Sequence, residues 1–192
     1  MTLHDFVSHP APDLPALARY LDSLDPVTRL AEVRSLDGRA QARLYEAAAG
    51  FRPVTLADLV PPGAPALQEV IHHGRNSLPI LHFFEKRFCR PAGSPDVLWG
   101  YNEWTFRWLT GPGYFVARQA TDFEILIAYD ELPAGKPASW PPILSNSARL
   151  GRFVYDQTRD YLRGVSRHVS IGRATRKGKP LDNWFVLCRA GE

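Results

Sequence analysis

Residues 98–120 read LWGYNEWTFRWLTGPGYFVARQA. Up to Arg107 and Trp108 the side chains alternate between two faces. Leu98, Gly100, Asn102, Trp104, Phe106 and Trp108 share one, and Trp99, Tyr101, Glu103, Thr105 and Arg107 share the other. A period of two is the signature of a β-strand, because successive side chains of an extended chain point to opposite sides. The first face is the more continuously apolar, so it is assigned to the interior, with Asn102 as its polar exception. Gly111-Pro112-Gly113 permits a tight connection, and a second strand resumes over residues 114–120. The stretch therefore predicts an aromatic hairpin.

The same period extends outward. FEILIAYDEL, residues 123–132, continues as a further strand, and ILHFFEKRF, residues 80–88, precedes the hairpin after the turn PAGSPD. In that preceding strand Ile80, His82, Phe84, Lys86 and Phe88 share a face. Short links between these four segments favour antiparallel pairing, since parallel strands need long crossovers. Residues 131–148 form a proline-rich loop, of a length that often marks a lid or binding loop. Leu150, Phe153, Val154, Tyr161 and Leu162 predict a helix ending at Gly164. VSRHVSIGRAT and DNWFVLCR then form a closing hairpin around Lys177-Gly178-Lys179-Pro180.

Towards the amino terminus the period becomes helical. Leu14, Leu17, Ala18, Leu21 and Leu24 make one apolar stripe. Asp25-Pro26 supplies an N-cap and first helical position for a second helix through Leu36. Asp37-Gly38 breaks that helix, and a third carries Ala40, Leu44, Tyr45 and Ala48 to Gly50. TLADLV adds a turn capped by Thr55. The predicted fold is α+β: N-terminal helices, then a curved, mostly antiparallel six-stranded sheet or barrel, with one helix before the last two strands. Residues 1–66 are the helical segment, packed on a β-rich domain of residues 67–192.

A chain of 192 residues can bury roughly two-thirds of its unfolded surface, and 45% hydrophobic with 22% charged residues is ordinary for a globular protein. The start of the chain lacks a basic segment followed by an apolar run, and no stretch has the length of a membrane span, so a soluble cytoplasmic protein is expected. Two cysteines, Cys89 and Cys188, are too few for a disulfide framework and read as buried thiols. The net charge of +3 is uneven. Residues 149–179 hold nine basic side chains against Asp156 and Asp160, so the basic character is local. With no zinc finger, helix-turn-helix or RNA-binding aromatic signature, no nucleic-acid partner is expected.

Catalytic and metal motifs are equally scarce. His72, His73 and His82 lack a completing carboxylate or cysteine at metal-site spacing, and GRNSLP, residues 74–79, reads as a loop crossing the mouth of the sheet. There is no G-x-S-x-G elbow and no glycine-rich phosphate loop. Ser166, His168 and Ser170 alternate on one face, while Asp130, Asp156, Asp160 and Glu103 are equivalent candidates for an orienting acid. No metal and no cofactor is expected.

The functional expectation comes from the aromatic strands. An incompletely filled barrel encloses a pocket, and such pockets combine apolar walls with a few placed polar groups. Asn102, Trp104, Phe106, Tyr114, Arg118, Tyr129 and His168 are the candidate ligand-binding residues. The expected partner is a small apolar or aromatic molecule, an anionic one included. Two alternatives stay open: an enzyme using the same cavity with His168 as general acid or base, and a protein-interaction module with an exposed aromatic and basic surface.

Overall fold

The computed structural model describes residues 2–78, 82–105, 107–147 and 151–191, with backbone alone at 152 and 153. Eight antiparallel strands pair in chain order: β1 (Val70–Asn76), β2 (Phe83–Cys89), β3 (Leu98–Glu103), β4 (Phe115–Thr121), β5 (Glu124–Ala128), β6 (Thr158–Gly164), β7 (Val169–Arg176) and β8 (Lys179–Arg189). β8 also pairs with β1, His73 opposite Cys188, which closes the barrel and leaves no free edge.

The expected α+β barrel is therefore present with eight strands instead of six. β1 and β6 are the two additions. In β1 the buried positions are His72 and Gly74, and in β6 they are Thr158, Asp160, Leu162 and Gly164. Both alternate in burial but barely alternate in hydrophobicity, because the barrel interior is partly polar and the exterior is charged. The helix expected over residues 150–162 shrinks to one turn, α7 (Gly151–Val154), before β6 begins. The first half of the loop expected at residues 74–79, Gly74 to Asn76, is the end of β1.

The opening hairpin also ends earlier than its alternation suggests. β3 stops at Glu103, and the chain leaves the sheet through the single turn α6 (Arg107–Thr110). Gly111 and Gly113 both hold positive φ, 83° and 57°, which routes the chain back so that Pro112 O accepts from Asn102 N at 2.9 Å. Trp108, expected inside, is 68% exposed as a result.

Helix placement differs from expectation as a whole: α1 (Leu3–Ser8) and α6 are unexpected, and α7 precedes three strands instead of two, while helices do cover most of residues 14–47. α2 (Leu14–Ser23), α3 (Pro26–Ser35) and α4 (Gly38–Ala47) are capped by Asp13, Asp25 and Asp37, twelve residues apart. Each carboxylate accepts a first-turn amide at 2.8–3.0 Å, a contact of about 1 kcal/mol at each helix start. Together with α1 (Leu3–Ser8) they bury Leu17, Leu21, Val33 and Leu44 against Ile171, Val186 and Cys188 on the outer face of β7 and β8. That second apolar layer explains why DNWFVLCR is apolar on both faces: Phe185 and Leu187 point into the barrel while Val186 and Cys188 meet the helices. No described helix is long and apolar enough to cross a membrane.

The barrel interior is shaped by cross-strand pairs of glycine and phenylalanine. Gly74 faces Phe84, Gly100 faces Phe115, and Gly172 faces Phe185. A Cβ on any of the three glycines would lie 2.3–2.6 Å from the partner ring, so each ring lies over bare backbone. At one end of the barrel the short helix α5 (Leu56–Leu59) closes the interior, with Leu59 and Val60 joining the cluster of Phe88, Leu98, Ile125, Ile127 and Leu162. At the other end the described residues that border the interior include Asn76, Leu78, Val154 and Asn183.

Candidate functional site

Between the closed end and the mouth lies a cavity of about 200 Å³. Phe84, Trp104, Tyr155 and Phe185 form apolar wall, and Lys86, Asn102, Tyr129 and Asp160 form a polar floor. Asn76 at the end of β1, Leu78 just beyond it, Val154 in α7 and Asn183 on β8 complete the lining.

The floor is assembled across four strands. Lys86 on β2 is the register partner of Asn102 on β3, Asp160 projects from β6, and Tyr129 follows β5. The Lys86 ammonium donates to Asn102 Oδ1 at 3.0 Å, to Asp160 Oδ2 at 3.1 Å and to the Tyr129 hydroxyl. Tyr129 donates in turn to Asp160 Oδ2 at 3.2 Å, and Asn102 Nδ2 donates to Tyr129 Oη at 3.0 Å and to Gly113 O at 3.3 Å. The rings of Phe84, Phe115, Tyr129 and Phe185 surround Lys86 Nζ with centroids 4.8–5.7 Å away. Asn102 is thus satisfied within the protein, as a buried amide must be.

Lys86 is 2% exposed and Asp160 4%. Burial disfavours both charges, so it pulls the Lys86 ammonium below the usual lysine range against the opposing attraction of Asp160. The same desolvation raises the Asp160 carboxyl, with Lys86 and Tyr129 opposing it. Both shifts favour moving the proton from nitrogen to oxygen, which would leave two neutral groups. Burial also holds the Tyr129 hydroxyl well above its ordinary value, so it stays a donor. Tyr155 stacks on Tyr129 at 5.3 Å, faces Asn102, Thr110 and Trp104 with its hydroxyl, and is pushed up to about 12. The side-chain hydrogen bonds of Asp160 all go to Oδ2. Its Oδ1 has no partner among the described residues.

Comparison of the chain with known protein families, curated proteins and solved structures finds no match. The geometry of the cavity is therefore what speaks to function.

Of the residues expected to form the site, Asn102, Trp104 and Tyr129 line the cavity. Phe106 lies outside the described residues. Tyr114 points away from the interior, packs with Tyr101 and Trp140, and donates to Pro141 O at 2.5 Å. Arg118 makes a bidentate pair with Glu131, both contacts at 2.6 Å, away from the cavity. His168 precedes β7 near the closed end, and its Nδ1 meets Arg189 Nη2 at 3.2 Å instead of a carboxylate. Tyr114 and Arg118 have the outward parity of β4, on which Phe115 and Ala117 point into the barrel, and His168 lies just before β7 begins.

Sequence reasoning passed over Lys86, and it named Asp160 only as one of four equivalent acids that could orient His168. The available signal was a lysine between Phe84 and Phe88 on an apolar strand face, in a chain with only four lysines and 19 arginines. Elsewhere His72 donates from Nε2 to Leu59 O at 2.9 Å, and burial lowers it to about 4. His73 faces Glu85 at 3.3 Å. No group of three or more metal-binding side chains occurs among the described residues. The basic segment is partly neutralised on the outer wall, where Arg159 pairs with Asp130 and Arg163 with Glu124. A shallower outer groove of about 690 Å³ adjoins the mouth through Phe84 and Trp104, flanked by exposed Phe83 and Trp108. Its charges are largely internal pairs, Arg87 with Glu69 and Glu85, and Arg107 with Glu103.

Proposed function

We propose that the protein binds a small, neutral, mainly aromatic or apolar molecule in the barrel cavity. The observation that carries this reading is the 200 Å³ cavity with aromatic walls and one buried polar cluster at its floor. A dry cavity of about 150 Å³ holds a benzene ring, so this one matches a single substituted ring in size. Lys86 and Asp160 cancel in charge whichever of them holds the proton, which favours a neutral guest. With Arg118 turned away, the described lining holds no cation other than Lys86, which is paired with Asp160. Asp160 Oδ1 offers an acceptor for one hydroxyl or amine on the guest.

The outer groove supports a partner-docking role less well, because Arg87 and Arg107, two of its three arginines, already pair with Glu69, Glu85 and Glu103. The buried free thiols Cys89 and Cys188 support residence in the reducing cytoplasm.

Trp104 lines the cavity and reports on it. Titration with benzyl alcohol is expected to quench tryptophan fluorescence saturably, and benzoate to do so more weakly. Ala174 also lines the cavity, so Ala174→Leu should weaken benzyl alcohol binding by about tenfold or more. Quenching that does not saturate, or that is unchanged in Ala174→Leu, would remove the cavity from consideration.

A further inference from the structure

We propose that the Lys86 amine forms a reversible covalent imine with a small aromatic aldehyde or ketone held in the barrel cavity. The proposal rests on the binding role assigned to that cavity and names its chemical class of ligand. Three observations carry it. Lys86 Nζ lies on the cavity floor among four aromatic rings, within reach of a guest. A carboxyl group, Asp160, sits 3.1 Å from the amine, and the Tyr129 hydroxyl and Asn102 amide complete the ring of polar groups around it. Finally, the residue is a lysine in a chain that favours arginine.

The last point has a direct comparison inside the molecule. Where this protein buries a cation for structure it uses Arg29, which is 3% exposed and ties Leu21 O and Leu24 O together at 2.9 and 2.7 Å. Arginine holds its proton under all ordinary conditions, whereas a buried lysine gives its proton up readily. A desolvated lysine is the usual nucleophile towards carbonyl carbon.

The chemistry closes without an outside reagent. Proton transfer from Lys86 to Asp160 gives a neutral amine and a carboxylic acid. The amine lone pair attacks the carbonyl carbon, the carbon–oxygen π bond opens, and one amine proton passes to that oxygen, giving a carbinolamine. The nitrogen lone pair then expels the hydroxyl, which takes the Asp160 proton and departs as water through the mouth. What remains is a protonated imine at Lys86 with the Asp160 carboxylate as its counter-ion.

The test uses the intact chain, benzaldehyde and sodium cyanoborohydride near pH 7, followed by peptide mapping. Lys86 is expected to acquire a benzyl group more than about tenfold faster than Lys136, Lys177 and Lys179. Its labelling should persist at pH 6. Asp160→Asn should slow Lys86 labelling by about tenfold or more, and Lys86→Arg should abolish the fast adduct while thermal unfolding confirms that the variant folds. Labelling of Lys86 no faster than the surface lysines overturns the proposal, as does labelling that tracks their pH dependence. Benzyl alcohol, which cannot form an imine, separates the two readings. If it binds and benzaldehyde leaves Lys86 unmodified, the covalent step fails and the binding role stands; if neither occupies the cavity, both fall.

Discussion

The two ends of the barrel are built by the same eight strands and filled in opposite ways. At the end covered by α5, Phe88, Leu98, Ile125, Ile127 and Leu162 are wholly buried and meet Leu59. Four residues earlier on the same face of β2, Phe84 is only half-buried at the rim of the cavity, and Lys86 stands between the two rings. The difference teaches how a small barrel can carry a costly polar cluster. Apolar burial at one end supplies stability at about 25 cal/mol per Å², leaving the other end free of the need to pack. The outer layer of helices adds to the same reserve by burying the outer face of β7 and β8.

The contrast can be broken first at the two phenylalanines. Phe88→Ala removes a ring from a sealed cluster and should cost about 3–5 kcal/mol in urea unfolding, whereas Phe84→Ala should cost less than half of that, since its ring borders open space. Equal losses would mean that the two ends are packed alike. Next comes the polar floor. Lys86→Met strands the Asp160 carboxyl and should cost about 3 kcal/mol, but the double variant Lys86→Met with Asp160→Leu should be more stable than the single one, because no orphaned charge remains. Additive losses in that cycle would show that the pair is uncoupled.

A pH effect sharpens the closed end. His72 packs edge-on against Phe88 and is held neutral down to about pH 4. The unfolded chain takes up its proton near the ordinary value of about 6.5, so the contribution of His72 is present above that pH and is lost as the pH falls towards 4. Between pH 7 and pH 5 the loss should be about 2 kcal/mol relative to His72→Gln, measured by urea unfolding of both proteins at each pH. Parallel pH profiles would contradict the assignment. The smallest effect is expected from a pair of alanines. Ala174→Leu fills cavity space and should shift stability by less than about 1 kcal/mol, while Ala117→Leu forces a larger side chain into the closed end and should cost about 1–3 kcal/mol. Thermal unfolding of the two variants side by side checks the difference.

Legibility in the sequence followed the same division. Strands with an apolar inner face, such as β2 with Phe84 and Phe88 or β5 with Ile125 and Ile127, stand out by period. β1 and β6 do not, because their inner positions include His72, Gly74, Thr158 and Asp160, and a period-two pattern vanishes when the interior is itself polar. The parts of the barrel hardest to read are thus partly the parts that build the cavity. Asn102 was conspicuous as the polar exception on an aromatic strand, and it does reach the floor. Tyr114 lies one residue before β4 begins and points outward, and Arg118, although on β4, turns to Glu131. Lys86 shared a face with Phe84 and Phe88, yet a lone lysine in a strand ordinarily signifies solvent.

The amino-acid order by itself determined the helices through Asp13, Asp25 and Asp37, the antiparallel hairpins through their turns and alternation, and the abundance of rings that an interior has to house. Those are local properties, written within a few residues of one another. Closure of β8 onto β1 and the meeting of Lys86 with Asp160, 74 positions away, belong to the tertiary structure alone. Such contacts depend on strand register summed around the barrel, and on burial that turns an ordinary lysine and aspartate into a coupled pair.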